Sequence, residues 1–155
     1  MMKFTQGNLL EARVEAIVNA VNTVGVMGKG IALMFKEKYP ENFQAYASAC
    51  RAGEVRVGEM FVTSGGEPNG PKWIINFPTK KHWRHPSKLE WVQDGLVALK
   101  QVIQEKKIRS IALPPLGCGL GGLQWSVVRP MIEESLENLS DVETVIYEPT
   151  PQHQK

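Results

Sequence analysis

The sequence predicts an α/β protein with three layers, α/β/α, around a central mixed sheet. Three observations point there. Strand-like and helix-like segments alternate along the chain. Several strand candidates are short unbroken apolar runs, as expected for strands covered on both faces. Two Gly-rich stretches, "GVMGKG" at 25–30 and "GCGLGG" at 117–122, each follow an apolar run and precede a helical pattern. Ligands of open α/β sheets bind at such strand ends.

The elements follow in chain order. Strands are expected at Met2–Gln6 and Ala16–Asn19, the second running into Asn22 and the first Gly-rich turn. A helix over Gly30–Tyr39 stops at Pro40, and another covers Glu41–Arg51 with Gly53 beyond its end. Strands at Glu59–Thr63 and Trp73–Phe77 come next. The helix at Lys88–Lys107 has the clearest signature, because Leu89, Val92, Leu96, Leu99 and Ile103 line one face. Ser87 with Glu90 reads as its capping box. A strand at Ser110–Leu113 leads into the second Gly-rich loop. A helix over Ser126–Leu139 follows, with Pro130 near its first turn, and Glu143–Tyr147 is the last strand.

Composition narrows the class. The 155 residues suit one domain, expected over 1–150, with 151–155 a flexible tail or the start of a linker in a longer parent chain. With 43% apolar and 22% charged residues and a formal charge of +2, the chain reads as an ordinary globular domain, and charge alone does not announce nucleic acid. Cys50 and Cys118 form no C-x-x-C pair and no disulfide framework, which fits a reducing, cytoplasmic setting. No apolar run approaches the ~18 residues of a membrane span, so no membrane association is expected. The chain reads as a monomer.

Three segments carry candidate chemistry. In "EAIVNAVNTVGVMGKGIALMF" a buried strand delivers Asn19 and Asn22 into a Gly-rich helix start, a place that favours phosphate. It is not a P-loop, because the G-x-x-x-x-G-K-[ST] spacing is absent. "GCGLGG" echoes the dinucleotide fingerprint weakly, late in the chain and without the acidic residue that should follow. The two Gly-rich turns together could hold a diphosphate from both sides. Cys118 has no identifiable histidine partner and reads as a small packed residue. In "IINFPTKKHWRHPSKLEW" a strand delivers Lys80 and Lys81 into a loop with His82, Trp83, Arg84 and His85. The two histidines lack further ligands at metal-binding spacing, so no metal is expected. Basic residues interleaved with an aromatic suit a single nucleic-acid strand; Lys81, Trp83, Arg84 and Lys88 are the contact candidates.

"GNLLEARVEAIVNAVN", "GVMGKGIALMFKEKYP" and "ALPPLGCGLGGLQW" resemble, in order and from about residue 3 to 148, the macrodomain family. "MGKGIA", "TKKHWRHPSKLEWV" and "GCGLGGLQW" resemble its lysine-using ADP-ribosyl glycohydrolase branch. That branch includes antitoxins that remove ADP-ribose from thymidine in single-stranded DNA modified by a DarT-type toxin. The resemblance implies the following roles. Asn8 and Leu9 would meet adenine, and Tyr147 would cover the ring. Gly28, Lys29, Gly30 and Ile31 would form one diphosphate loop, and Leu116, Gly117, Cys118, Gly119, Leu120 and Gly121 the other. Asn22 would bind the distal ribose, Thr79 would join the ligand site, and Lys80 would be catalytic. It implies ADP-ribose as ligand and product, no cofactor, and a toxin partner gripped by a region outside this sequence. Asn8 stands where most macrodomains have Asp, and Gly121 where the human lysine-using enzyme has an acid.

Lys80 can act as a neutral amine that forms a Schiff base with the opened ribose, or as an ammonium that stabilises charge on the leaving base. If the strand stays extended, alternation turns Lys81 away from Lys80. Three alternatives stand beside a DNA glycohydrolase. They are a glycohydrolase for modified protein, a non-catalytic ADP-ribose reader, and a dinucleotide-dependent oxidoreductase. A reader needs no lysine at position 80, and the weak fingerprint argues against the oxidoreductase.

Overall fold

A computed structural model describes residues 1–150; the expected tail at 151–155 lies outside them. Six strands form one mixed sheet in the order β1-β6-β5-β2-β4-β3. These are β1 (Met2–Thr5), β2 (Ala16–Asn22), β3 (Phe61–Ser64), β4 (Trp73–Lys80), β5 (Ser110–Leu113) and β6 (Glu143–Tyr147). All neighbours are parallel except the pair of β3 and β4. The helices are α1 (Gly30–Lys38), α2 (Pro40–Arg51), α3 (Leu89–Glu105) and α4 (Trp125–Leu136), and a single 3-10 turn covers Leu9–Glu11.

The period-two alternation of each strand divides its side chains between two apolar layers. Ala16 and Val18 of β2, Ile75 and Phe77 of β4, and Ile111 and Leu113 of β5 pack with α3 and α4 through Val92, Leu96, Leu99, Ile103, Val128 and Ile132. Ile17, Ile74 and Ala112, from the same strands, pack in the other layer with Phe35, Tyr39, Tyr46 and Ala49. Both faces are covered, which is why these strands read as continuous apolar runs. The three-layer expectation is met.

The differences from the sequence reading have local causes. β2 and β4 extend three residues further than expected, to Asn22 and Lys80, because they pair with each other along their whole lengths. Near the end the register shifts: Val21 faces Pro78 but Asn22 faces Lys80, which leaves Thr79 as an extra residue. A bulge suits a strand interrupted by a proline that has no N–H to donate. Helix α3 stops at Glu105 because Lys107 takes φ 54, and the Ile108 N–H caps the end on the Ile103 carbonyl at 3.0 Å. The capping box at Ser87 does not form. Lys88 is the N-cap of α3, without a side-chain bond, and the Ser87 N–H donates instead to the Gly121 carbonyl at 2.9 Å. α4 begins at Trp125, so Pro130 falls in its second turn.

β2, β4 and β5 lie side by side and parallel, so their carboxyl ends share one edge of the sheet. The segments 23–29, 81–88 and 114–124 leave from that edge and lead into α1, α3 and α4.

Candidate active site

These three loops form a ring: hydrogen bonds tie the first to the second and the second to the third, and the third passes near the start of α1. The Thr23 hydroxyl donates to the Lys81 carbonyl at 2.8 Å. Ser87 N–H binds the Gly121 carbonyl, as described above. A Cβ placed on Gly30, the first residue of α1, would lie 4.0 Å from Leu120 Cδ1, so the third loop passes near the end of the first. Gly30 has φ +60, a conformation that L side chains rarely adopt. The helices starting from the ring, α1, α3 and α4, all lack a side-chain cap, and only α3 has an acid, Glu90, in its first turn. Free N–H groups and the positive ends of three helix dipoles therefore converge on one region, which favours an anion. Residues 16–36, 68–89 and 106–132 contain no Asp or Glu at all. The loops are thus free of carboxylates, while they carry Lys29, Lys81, Arg84 and Lys88, with Lys80 at the end of β4 beside them.

The first loop is shaped by Asn22. Its buried Oδ1 accepts from the N–H groups of Val24, Gly25 and Val26 at 3.1, 3.2 and 3.3 Å. Its Nδ2 donates to the Val26 carbonyl at 2.8 Å. The Tyr46 hydroxyl, reaching over from α2, sits 2.7 Å from the Asn22 carbonyl and 2.8 Å from Oδ1. Burial pushes the Tyr46 pKa up, so the hydroxyl stays a donor. The amide oxygen is committed to the loop, so a ribose could meet this side chain only through its second amide hydrogen.

Lys80 ends β4 and is half-buried. Its Nζ donates to the Trp83 carbonyl at 3.3 Å, and desolvation lowers its pKa from the usual lysine value. Lys81 is exposed, outside the strand, with Nζ 5.4 Å from the Trp91 ring centre. The strand ends at Lys80 and the chain bends at Lys81, so strand alternation does not relate the two lysines. Lys88 Nζ lies 5.3 Å from the centre of the same Trp91 ring, and the Arg84 guanidinium lies 4.5 Å from that of Trp83. Trp83 itself stacks with His82 at 5.2 Å.

In the third loop, Leu116 and Cys118 face the core, and burial pushes the Cys118 thiol up to about 12. Burial that favours the neutral thiol suits a packed residue. Leu9 and Thr79 are likewise buried. All four side chains are thus packed away from solvent. Gly119 and Leu120 are exposed, whereas Gly121 is buried, and a Cβ there would lie 2.4 Å from both Gly117 O and Ser87 Oγ. An acid at position 121 therefore has no room in this loop. Lys29 is the exposed N-cap of α1, Gly28 is exposed, and Ile31 is half-buried.

A fourth group lies where β1 and β6 end side by side, Thr5 facing Tyr147. Asn8 is the N-cap of the 3-10 turn, and its Oδ1 accepts from the Leu10 N–H at 3.0 Å. Tyr147 packs at the edge of the apolar layer that contains Leu9 and Leu10. Burial, then the nearby Glu11 carboxylate, raises its pKa.

The sequence reading overlooked Tyr46, Thr23 and the tie between Ser87 and Gly121. Ser87 has a local signature that points to a different role, and Tyr46 has none. Also unforeseen was the apolar character of the ring. Of the large hydrophobic side chains that are exposed among the described residues, Val24, Val26, Trp83 and Leu120 all stand on these loops. No group of three His, Cys, Asp or Glu suited to a metal occurs among the described residues. No helix among them is long and apolar enough to cross a membrane.

Comparison with known proteins agrees with this geometry. The model of the Macro domain family matches residues 18–132. A DNA ADP-ribosyl glycohydrolase of Thermus aquaticus is 58% identical over 149 residues, which is 96% of this chain and 41% of that protein. The solved macrodomain of Mycobacterium tuberculosis DarG superposes with a TM-score of 0.95 at 55% identity, covering 97% of this chain and 99% of that one. Thermosipho africanus DarTG in complex with ADP-ribose superposes with a TM-score of 0.87 at 31% identity, covering 99% of this chain and 44% of that one. The chain spans less than half the length of the curated DNA ADP-ribosyl glycohydrolases it matches.

Proposed function

The chain belongs to the Macro domain family, and from that premise we propose that it is a DarG-type hydrolase that removes ADP-ribose from ADP-ribosylated thymidine in single-stranded DNA. A DarT-type transferase would be the toxin whose product it clears. The observation that carries the reading is Lys80, a partly desolvated amine at the end of β4, set among loops that favour an anion. An ADP-ribose reader needs the loops but not that amine.

In this reading the diphosphate lies between the N-terminus of α1 and the 117–121 loop, held by backbone N–H groups and free of repulsion from carboxylates. Adenine lies toward Asn8, Leu9 and Tyr147, and the distal ribose toward Asn22 and Lys80. The bond to be broken joins the anomeric carbon to a thymine nitrogen. As a neutral amine, Lys80 forms a bond to the anomeric carbon while the thymine nitrogen leaves with one of the amine protons; the bond from that carbon to the ring oxygen then breaks, the oxygen takes the remaining N–H proton, and a C=N bond forms. Water then hydrolyses the resulting Schiff base, giving ADP-ribose and the free amine. As an ammonium, Lys80 instead stabilises charge on the departing base while water attacks the carbon. Neither route calls for a cofactor.

The character of the ring favours DNA over modified protein. Val24, Val26, Leu120 and Trp83 offer apolar surface to unstacked bases, and Lys81, Arg84 and Lys88 offer charge to phosphates. The test is incubation with thymidine-ADP-ribosylated single-stranded DNA. Loss of the adduct with release of ADP-ribose is expected. Persistence of the adduct alongside ADP-ribose binding would make the chain a reader, and clearance from protein alone would shift the substrate class. Replacing Lys81, Arg84 and Lys88 together by alanine should flatten the salt dependence of DNA binding by about two units of logarithmic slope. An unchanged slope would make the loop a solvated surface.

A further inference from the structure

Ser87 is 6% exposed, and its hydroxyl has no hydrogen-bond partner. A buried polar atom in that condition costs free energy, and native proteins rarely keep one without a use. Two other such atoms occur among the described residues, Asn19 Oδ1 within β2 and Thr144 Oγ1 within β6. Ser87 alone lies between two loops of the ring. Its N–H already binds the Gly121 carbonyl, and its Oγ fills the space that a side chain on Gly121 would need.

A peptide unit points its N–H and its C=O in opposite directions. When a glycine loop turns N–H groups outward to a phosphate, the attached carbonyls turn inward. In the 117–121 loop, the Gly117 carbonyl oxygen lies on the same side as the Ser87 hydroxyl, both 2.4 Å from where a Cβ on Gly121 would stand. We propose that Ser87 is a positioning residue: with a diphosphate in place, its hydroxyl donates to an inward-turned carbonyl of the second glycine loop. Because Ser87 lies near the end of the 81–88 segment, which begins directly after Lys80, this bond fixes the segment that follows the lysine relative to the diphosphate. The inference rests on the ADP-ribose reading above.

The unliganded and liganded states respond in opposite senses to Ser87→Ala, which makes the test specific. Without ligand, the variant loses an unpartnered buried hydroxyl, so its unfolding temperature should be unchanged or higher. With ADP-ribose, it lacks one hydrogen bond, so calorimetry should show affinity about five- to tenfold weaker. Clearance of modified DNA at saturation should slow by a similar factor. Ser87→Cys, which keeps a weak donor of similar size, should fall between the two. Equal affinity and equal turnover for Ser87→Ala and the parent would overturn the proposal. So would a lower unfolding temperature with unchanged affinity, which marks an ordinary structural serine. If the parent chain itself fails to bind ADP-ribose, the functional reading fails first, and that result is seen without any variant.

Discussion

Lys80→Ala is expected to slow removal of ADP-ribose from modified DNA by about 10³-fold or more, the usual consequence of removing a nucleophile or a preorganised charge. Affinity for ADP-ribose should barely change, because the proposed diphosphate contacts are backbone groups of the two glycine loops. Single-turnover clearance by the folded variant is the decisive measurement, and a rate equal to the parent's would remove Lys80 from the mechanism. The pH profile separates its two possible roles. Desolvation lowers the Lys80 pKa, so the neutral amine is populated at lower pH than for an exposed lysine. If the amine attacks, the rate rises with pH and levels off above the lowered pKa. If the ammonium stabilises the leaving base, the rate falls as pH rises through the same value. Borohydride trapping of an adduct that Lys80→Ala lacks would support attack.

Gly119→Glu is expected to weaken ADP-ribose binding at least about a hundredfold, through bulk and negative charge placed where the diphosphate is proposed to lie. The structure makes this a test of the ligand rather than of the fold. A Cβ at Gly119 meets nothing within 4 Å, and the residue is exposed without a positive φ. Its unfolding temperature should therefore stay close to the parent's. The same substitution at Gly121 would drive the side chain into Gly117 O and Ser87 Oγ, and would test folding instead. Calorimetry showing parental affinity in folded Gly119→Glu would refute the diphosphate assignment of this loop.

What the sequence made legible was mostly local. β5 and β6 agree with their expected bounds, β5 because its apolar run is stopped by Arg109 before it and Pro114 after it. The long face of α3 was readable from its spacing alone. The rest depended on distant partners. Pro78 looked like the end of a strand, yet β4 continues to Lys80 because β2 pairs with it across a bulge. Ser87 and Glu90 have the spacing of a capping box, but the tie to Gly121, 34 positions further along the chain, claims the serine backbone instead. Asn22 looked like a residue free for a ligand. Its oxygen is occupied because Tyr46 and three backbone N–H groups converge on it, an arrangement visible only once α2 has docked.

The absence of carboxylates from the ring matters for how a polyanion arrives. With a formal charge of only +2, the molecule as a whole exerts little pull at long range. The ring, however, carries charge of one sign, whereas the opposite end mixes Glu15, Asp141 and Glu143 with Lys106, Lys107 and Arg109. Such an arrangement acts less as an attractor than as a compass. Within roughly a Debye length, about 8 Å at physiological salt, the protein's field would rotate it until the ring faces the strand. Encounters would then be productive in orientation more often than chance allows, while the small overall charge limits idle adhesion to unmodified nucleic acid.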